Sequence, residues 1–244
     1  MRVISLWSGG KDGYTGLHKA VEQGHEVAYL LTSVFADPYI FHSYLIMELQ
    51  SKALGIPHLK IKIEERHQNP LELIAPVIKG EGIEGLVTGD IESEHHKHAW
   101  EDACKKLGLE LITPLWDAPP YPGNRYRERV LDMELSTGMK AIINCIDLKF
   151  LGEEWLGREF NRSCVQEMKA LVGPPGVGID ATGEFAEFHT TVLDSPLFKE
   201  SIEITKFTKK RLVTDHGGMP PTVDAFYMDI EEAFLRPKRA RATF

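Results

Sequence analysis

The hexapeptide Ser8-Gly9-Gly10-Lys11-Asp12-Gly13 sets the tightest limit on what this chain can fold into. An apolar run, Val3-Ile4-Ser5-Leu6-Trp7, precedes it and reads as a buried strand. Leu17, Ala20 and Val21 follow at helical spacing. The hexapeptide is therefore a turn from a first strand into a first helix. Its glycines let backbone approach a ligand where a side chain would clash. The helix start offers free N–H groups and a positive dipole end to an anion. Ser8 adds a hydroxyl donor and Lys11 a positive charge, so the stretch suits a phosphate. A glycine-rich turn that merely connects two elements is the plain alternative. Neither G-x-x-x-x-G-K-[ST] nor G-x-G-x-x-G is present, which excludes the two commoner phosphate loops at this position.

The stretch resembles the S-G-G-x-D-S loop of the ATP pyrophosphatases, the PP-loop. Such enzymes cleave ATP between the α- and β-phosphates and adenylate an oxygen of the substrate. The resemblance implies ATP contacts at Ser8, Gly9, Gly10, Lys11, Asp12 and Gly13. It extends them to Thr32, in the second strand, and Gly89, after the fourth. Lys11 would neutralise phosphate charge, and Asp12 would orient the loop or hold Mg²⁺. Gly13 stands where the family usually has Ser or Thr, so one phosphate donor must come from elsewhere.

From residue 1 to about 115 strands and helices alternate. Strands are expected at 26–32, 59–63, 85–88 and 110–113, with helices at 42–54, 70–79 and 98–107. This alternation implies a parallel sheet with helices on both faces, an α/β protein. Ligands in such sheets sit beyond the carboxyl ends of strands, at the switch point. Ser8 to Asp12 and Thr88 to Asp90 would line one crevice there.

Phe41-His42 ahead of Gln50, then Gly55-Ile56-Pro57, resembles a stretch of the diphthine–ammonia ligase family, a PP-loop branch. So do Gly85-Leu86-Val87-Thr88-Gly89-Asp90-Ile91 and Pro114-Leu115-Trp116. The chain departs from the family between Asp90 and Ala99. The family usually has a small residue at Asp90, Tyr-Gln at His95-His96 and Arg at Ala99. His42, Asp90 and Glu94 are candidate substrate contacts. Glu92, Glu94, His95, His96 and His98 also invite a metal reading, but no H-E-x-x-H spacing is present, and a polar helix start explains them as well.

A turn-rich break, Asp117-Ala118-Pro119-Pro120-Tyr121-Pro122-Gly123-Asn124, divides a PP-loop domain, 1–117, from a smaller α/β domain, 118–235. A helix from Arg125 and a strand over 138–146 follow. Trp155-Leu156-Gly157-Arg158 resembles the family's W-L-G-R. The stretch Gly183-Glu184-Phe185-Ala186-Glu187-Phe188-His189-Thr190 resembles its G-E-x-G-E-[YF]-x-T signature. Ala186 replaces the family's Gly, and Thr182 replaces its Cys. The resemblance makes Glu184 and Glu187 candidates for catalysis, and His189 and Thr190 for substrate binding. A half-buried strand with solvated acids is the bland alternative.

Composition narrows the partners. A net charge of −8 argues against a broad nucleic-acid surface. The basic tail over 236–244 is the exception, and a solvated terminus explains it. Three cysteines without C-x-x-C spacing favour a reducing, cytoplasmic setting and give no zinc site or persulfide carrier. No signal peptide or membrane span is expected. A homo-oligomer stays open.

The resemblance implies amidation that uses ATP, Mg²⁺ and ammonium. The carboxylate of diphthine, on translation elongation factor 2, would attack the α-phosphorus, and ammonia would displace AMP from the acyl adenylate. Amidation of a small carboxylic acid, plain ATP hydrolysis and a non-catalytic nucleotide-binding regulator remain alternatives. On the sequence alone, Lys11→Ala is expected to weaken ATP binding or abolish turnover with the fold intact.

Overall fold

A computed structural model describes residues 1–35, 42–65, 68–117, 127–172, 178–214 and 223–238. Phe41, the break over 118–126, the loop 173–177 and the tail 239–244 lie outside the described residues.

The first half runs β1 (Arg2–Leu6), α1 (Lys11–Glu22), β2 (Glu26–Phe35), α2 (Tyr44–Leu54) and β3 (His58–Ile63). It continues with α3 (Pro70–Leu73), α4 (Ala75–Gly80), β4 (Gly85–Val87), α5 (Glu94–Leu107) and β5 (Glu110–Ile112). The five strands form one sheet in the order β3-β2-β1-β4-β5, with parallel neighbours. Ser5 of β1 pairs with Leu30 of β2 on one side and Val87 of β4 on the other. The chain leaves β1 toward β2 and returns on the opposite side at β4, so the switch point lies between β1 and β4. This is the α/β arrangement that the alternation implied.

Two helices differ from the sequence expectation. The segment 70–79 is two short helices, because Pro76 has no N–H to continue the first. α5 begins at Glu94, four residues early, because the Ser93 side chain accepts the His96 N–H and caps it. His95 and His96 therefore lie in its first turn.

The second half carries α6 (Glu128–Ser136), β6 (Lys140–Asp147), α7 (Arg162–Leu171), β7 (Phe188–Asp194), β8 (Glu200–Thr214) and β9 (Val223–Pro237). Its four strands form an antiparallel sheet ordered β7-β6-β9-β8. One continuous core joins the halves. Trp7, Tyr14, Leu17 and Ile46 pack in the same cluster as Ile143, Phe160, Phe188, Phe198 and Ile230. That shared burial sets β7 against the start of α1.

Ala186 adopts φ 64, in the left-handed region. A residue with a Cβ is strained there, and the family's glycine would not be. Ala186→Gly is expected to stabilise the fold by about 1 kcal/mol, raising Tm by roughly 2–4 °C. A thermal melt with an unchanged or lower Tm would contradict this account of the strain.

Candidate active site

The phosphate-type loop takes its shape from distant residues. Gly9 has φ 80, and a Cβ on it would lie 2.6 Å from Gln50 Oε1. Gly10 caps α1 without a side chain. The cap comes from β7 instead: Thr190 Oγ1 accepts the Lys11 N–H at 3.0 Å. Val192 N–H donates to the Gly9 carbonyl at 3.0 Å. Buried Gln50 donates from Nε2 to Gly9 O at 2.9 Å and to Val192 O at 2.8 Å. Its Oε1 accepts from Trp7 Nε1 at 3.0 Å. The Lys11 amide is thus occupied, and Asp12 and Gly13, next along the helix, line the cleft.

α1 also packs tightly on the end of β4. A Cβ on Gly16 would meet Thr88 O at 2.7 Å, and one on Gly89 would meet the Asp12 carbonyl carbon at 2.6 Å. Both glycines are required by close approach. Gly13 differs, since a Cβ there meets Leu6 O at 3.5 Å and Ser8 N and Oγ at 3.9 Å, all ordinary contacts.

The cleft has a volume of about 660 Å³. Ser8, Asp12, Gly13, Thr32, His42, Gly89 and Asp90 all line it, with Tyr44, Trp100, His95 and His96. No Lys or Arg appears among its described lining residues.

Lys11 does not line it. Its side chain is buried, and Nζ donates to Asp12 Oδ1 at 2.5 Å and to Glu134 Oε1 at 2.9 Å. The Phe160 and Phe188 rings lie 5.5 and 5.9 Å from Nζ. Burial works against its charge, but the Asp12 and Glu134 carboxylates outweigh it and raise the ammonium pKa. Burial also opposes ionisation of Asp12, yet Lys11 holds that carboxyl below its usual range. Glu134, fully buried on α6, is pushed well upward by burial despite Lys11, and by the Asp12 charge. Lys11 Nζ is the buried hydrogen-bond partner of Glu134, so Lys11→Ala is expected to cost stability as well as turnover, where the sequence alone suggested an intact fold. Removing one partner of a buried pair costs about 3 kcal/mol.

His42 and His189 meet edge to face, with ring centroids 5.3 Å apart. Burial, then His189, lowers His42 to about 3. Burial lowers His189 to about 4, against the pull of Asp12. Both imidazoles are neutral at pH 7, and the field of Asp12 reaches both. Asp90 Oδ1 lies 3.6 Å from His96 Nδ1, and this contact raises the histidine. Asp90 Oδ2 is buried with no hydrogen-bond partner among the described residues. Glu184 Oε1 accepts the Glu92 N–H at 3.1 Å. Burial, reinforced by Asp12, pushes Glu184 up to about 7, while Arg127 and Lys11 pull it down.

Other candidates sit elsewhere. Glu187 is buried, and its carboxylate accepts from Asp180 N at 2.7 Å and Phe185 N at 3.0 Å, bracing the signature turn. Glu94 is exposed and outside the cleft lining. Thr32 donates to Trp7 O and meets His58 Nε2 at 2.7 Å, so its hydroxyl is engaged within the wall. His98 pairs with Glu101 at 3.1 Å, and no metal-holding group of His, Cys, Asp or Glu appears among the described residues. The residues 92–98 form the polar helix start.

Sequence reasoning missed Glu134, Arg127 and Asp180, and gave Gln50 no role. A signal existed for Glu134: it shares a helical face with buried Val130 and Leu131. Arg127 caps α6 at φ 42, and buried Asp180 accepts from its Nε at 2.9 Å.

Comparison with known proteins adds independent evidence. The diphthamide synthase N-terminal domain model matches residues 1–111, and the C-terminal domain model matches residues 127–219. The chain is 27% identical over 231 residues to a mouse protein named diphthine–ammonia ligase, covering 84% of this chain and 83% of that one. The human protein of that name is 26% identical, covering 83% of this chain and 82% of its own. A solved structure titled a predicted subunit of tRNA methyltransferase, from Methanocaldococcus jannaschii, aligns at TM-score 0.35 and 17% identity. That alignment covers 74% of this chain and 96% of the other.

Two outcomes follow for the loop. Gly13→Ser should fold, since its Cβ has room, and should tighten ATP binding by about tenfold through one added hydrogen bond to a charged group. Unchanged or weaker binding by calorimetry would place that hydroxyl away from phosphate. Lys11→Ala should lose turnover and also melt at lower temperature than the wild-type chain; an unaltered Tm would remove Lys11 from the core.

Proposed function

The chain belongs to the diphthamide synthase family, and from that premise we propose that it amidates diphthine on translation elongation factor 2, using ATP and ammonium. The observation that carries the reading is the loop itself: strand, Ser8-Gly9-Gly10, helix start, at the β1/β4 switch point of a cleft large enough for a nucleotide and an acceptor. In this scheme the acceptor carboxylate attacks the α-phosphorus, pyrophosphate leaves, and ammonia displaces AMP.

The roles we assign follow from placement. Ser8 and the Asp12 and Gly13 amides, next along α1 after the occupied Lys11 amide, bind phosphate oxygens. With no Lys or Arg lining the described cleft, phosphate charge falls to these dipoles and to Mg²⁺. The residues fit that ion: Asp12 is held ionised at the wall, and Asp90 turns a partnerless oxygen from the same cleft lining. A hard cation takes one or two carboxylates plus phosphate oxygens. Once bound, Mg²⁺ stabilises charge on the departing pyrophosphate. Glu184, poised near neutrality, takes the proton that ammonia must lose as the amide forms. Neutral His42 and His189 shape the acceptor side and Thr190 braces the loop. We assign Glu187 a positioning role for Glu184, not a chemical one. Residues 1–117 would serve the nucleotide and 118–235 the acceptor.

One observation favours a second reading, amidation of a small carboxylic acid. Asp90, His95, His96 and Ala99, where the chain departs from family residues, all line the cleft.

The test incubates the protein with ATP, ammonium and diphthine-bearing elongation factor 2. Mass spectrometry should show the loss of about one mass unit that replacing OH by NH₂ produces, with AMP and pyrophosphate formed in step. ADP and orthophosphate as sole products would overturn the reaction class. Pyrophosphate release with a small carboxylic acid, and none with the factor, would select the second reading.

A further inference from the structure

Arg127 has no part in the reaction scheme above, yet it is buried in a left-handed conformation with three acceptors around its guanidinium. It adopts φ 42 and ψ 47, a left-handed conformation that costs a non-glycine residue about 1 kcal/mol or more and persists only where neighbours over-determine it. Its guanidinium is 1% exposed and donates to three separate segments. Nη1 reaches Asp117 O at 2.8 Å, at the end of the first half. Nε reaches Asp180 Oδ2 at 2.9 Å, just before the signature. Nη2 reaches Glu92 Oε2, in the loop after β4. Glu92 in turn gives its N–H to Glu184 Oε1. Asp180 is fixed further by Thr182, whose N–H and hydroxyl both donate to Oδ1 at 2.9 and 2.6 Å.

We infer that Arg127 is a positioning residue for Glu184: by gripping Glu92 and Asp180 it fixes both the amide that holds the Glu184 carboxylate and the turn that carries it. The inference rests on the reading of Glu184 as the base. Geometry and charge act together. The groups that bear on Glu184 are Asp12 and Lys11 from α1, Asp180 beside its own turn, Arg127 from α6 and His96 from α5. Arg127 and Lys11 are the cations that keep it ionisable near neutrality. Without Arg127, burial and the acids Asp12 and Asp180 act with less opposition, and Glu184 binds its proton more tightly. A fork that contacts three segments is also not replaced by an ammonium, which has the charge but not the planar geometry.

The experiment follows the Glu184 carboxyl by ¹³C NMR across pH, in wild type, R127M and R127K, with E184Q to identify the signal. R127M should raise its titration midpoint by about one pH unit or more. R127K should return the midpoint toward wild type, while kcat stays about tenfold or more below it and KM for ATP is unchanged. An R127M midpoint equal to wild type overturns the inference, as does full kcat in R127K. If R127M does not fold, E92A tests the same link: lost kcat at constant KM for ATP supports it, and wild-type kcat overturns it. The NMR midpoint needs no acceptor, so it stands apart from the activity reading. Full activity in E184Q would sink Glu184 as base while leaving the titration result intact.

Discussion

The grip of β7 on the first helix start is the contact on which the rest depends. A Gly-Gly loop has little conformational preference of its own, and its helix has no capping side chain. Thr190 Oγ1, Val192 N–H and Gln50 supply what the loop lacks. Each hydrogen bond contributes about 1 kcal/mol net. Their larger effect is to select one loop geometry from many. The loop's shape is therefore a product of both halves, although the motif lies wholly within residues 8–13.

A second constraint concerns where the cations are. Lys11 and Arg127 are both buried, each holding two acidic side chains. Buried ion pairs are weak evidence for net stability, because desolvation offsets their attraction. Their value here is geometric. Lys11 aims and ionises Asp12 at the wall; Arg127 sets the surroundings of Glu184. The described cleft lining presents carboxylates and dipoles but no Lys or Arg, so triphosphate binding there is expected to depend on a metal. Adding EDTA should abolish nucleotide binding, and metal-independent binding measured by calorimetry would contradict that dependence.

The sequence made the local features legible. Alternating apolar runs gave the parallel sheet, and strand–loop–helix order brought Ser8, Asp12, Gly13 and Gly89 to one crevice, because period and turn chemistry are encoded within a few neighbours. What stayed hidden was long-range. Nothing near Gln50 in the chain shows that it clamps Gly9 to Val192, 142 residues away. Glu187 matched a signature as well as Glu184 did, yet only packing shows that Glu187 braces its own turn while Glu184 reaches across to the Glu92 amide. Residues 200–214 and 223–237 had no assigned elements, and they form the long antiparallel strands β8 and β9. The outer strand is mostly exposed and held by cross-strand pairs such as Lys210–Asp229 and Arg211–Asp224, so the apolar-in, polar-out contrast is weak there.

The departures from the family pattern divide by their surroundings. Ala186 carries a left-handed strain that glycine would relieve. Gly13 removes a hydroxyl from a position with room for one. The cleft departures are different, because they act together. Asp90 and His96 lie within 3.6 Å and shift charge between them, where the family pattern has a small residue and Gln. Ala99, without the family's arginine, lines the same wall. A wall that loses a fixed cation and gains an Asp–His pair exchanges permanent positive charge for charge that depends on protonation. Recognition of an acceptor carboxylate should then strengthen as pH falls and His96 charges, since Asp90 holds its pKa above the ordinary histidine value. KM for the acceptor should accordingly rise with pH through and above the neutral histidine range, with KM for ATP flat. H96Q should lose that slope; a slope that survives the substitution would assign the dependence to another group.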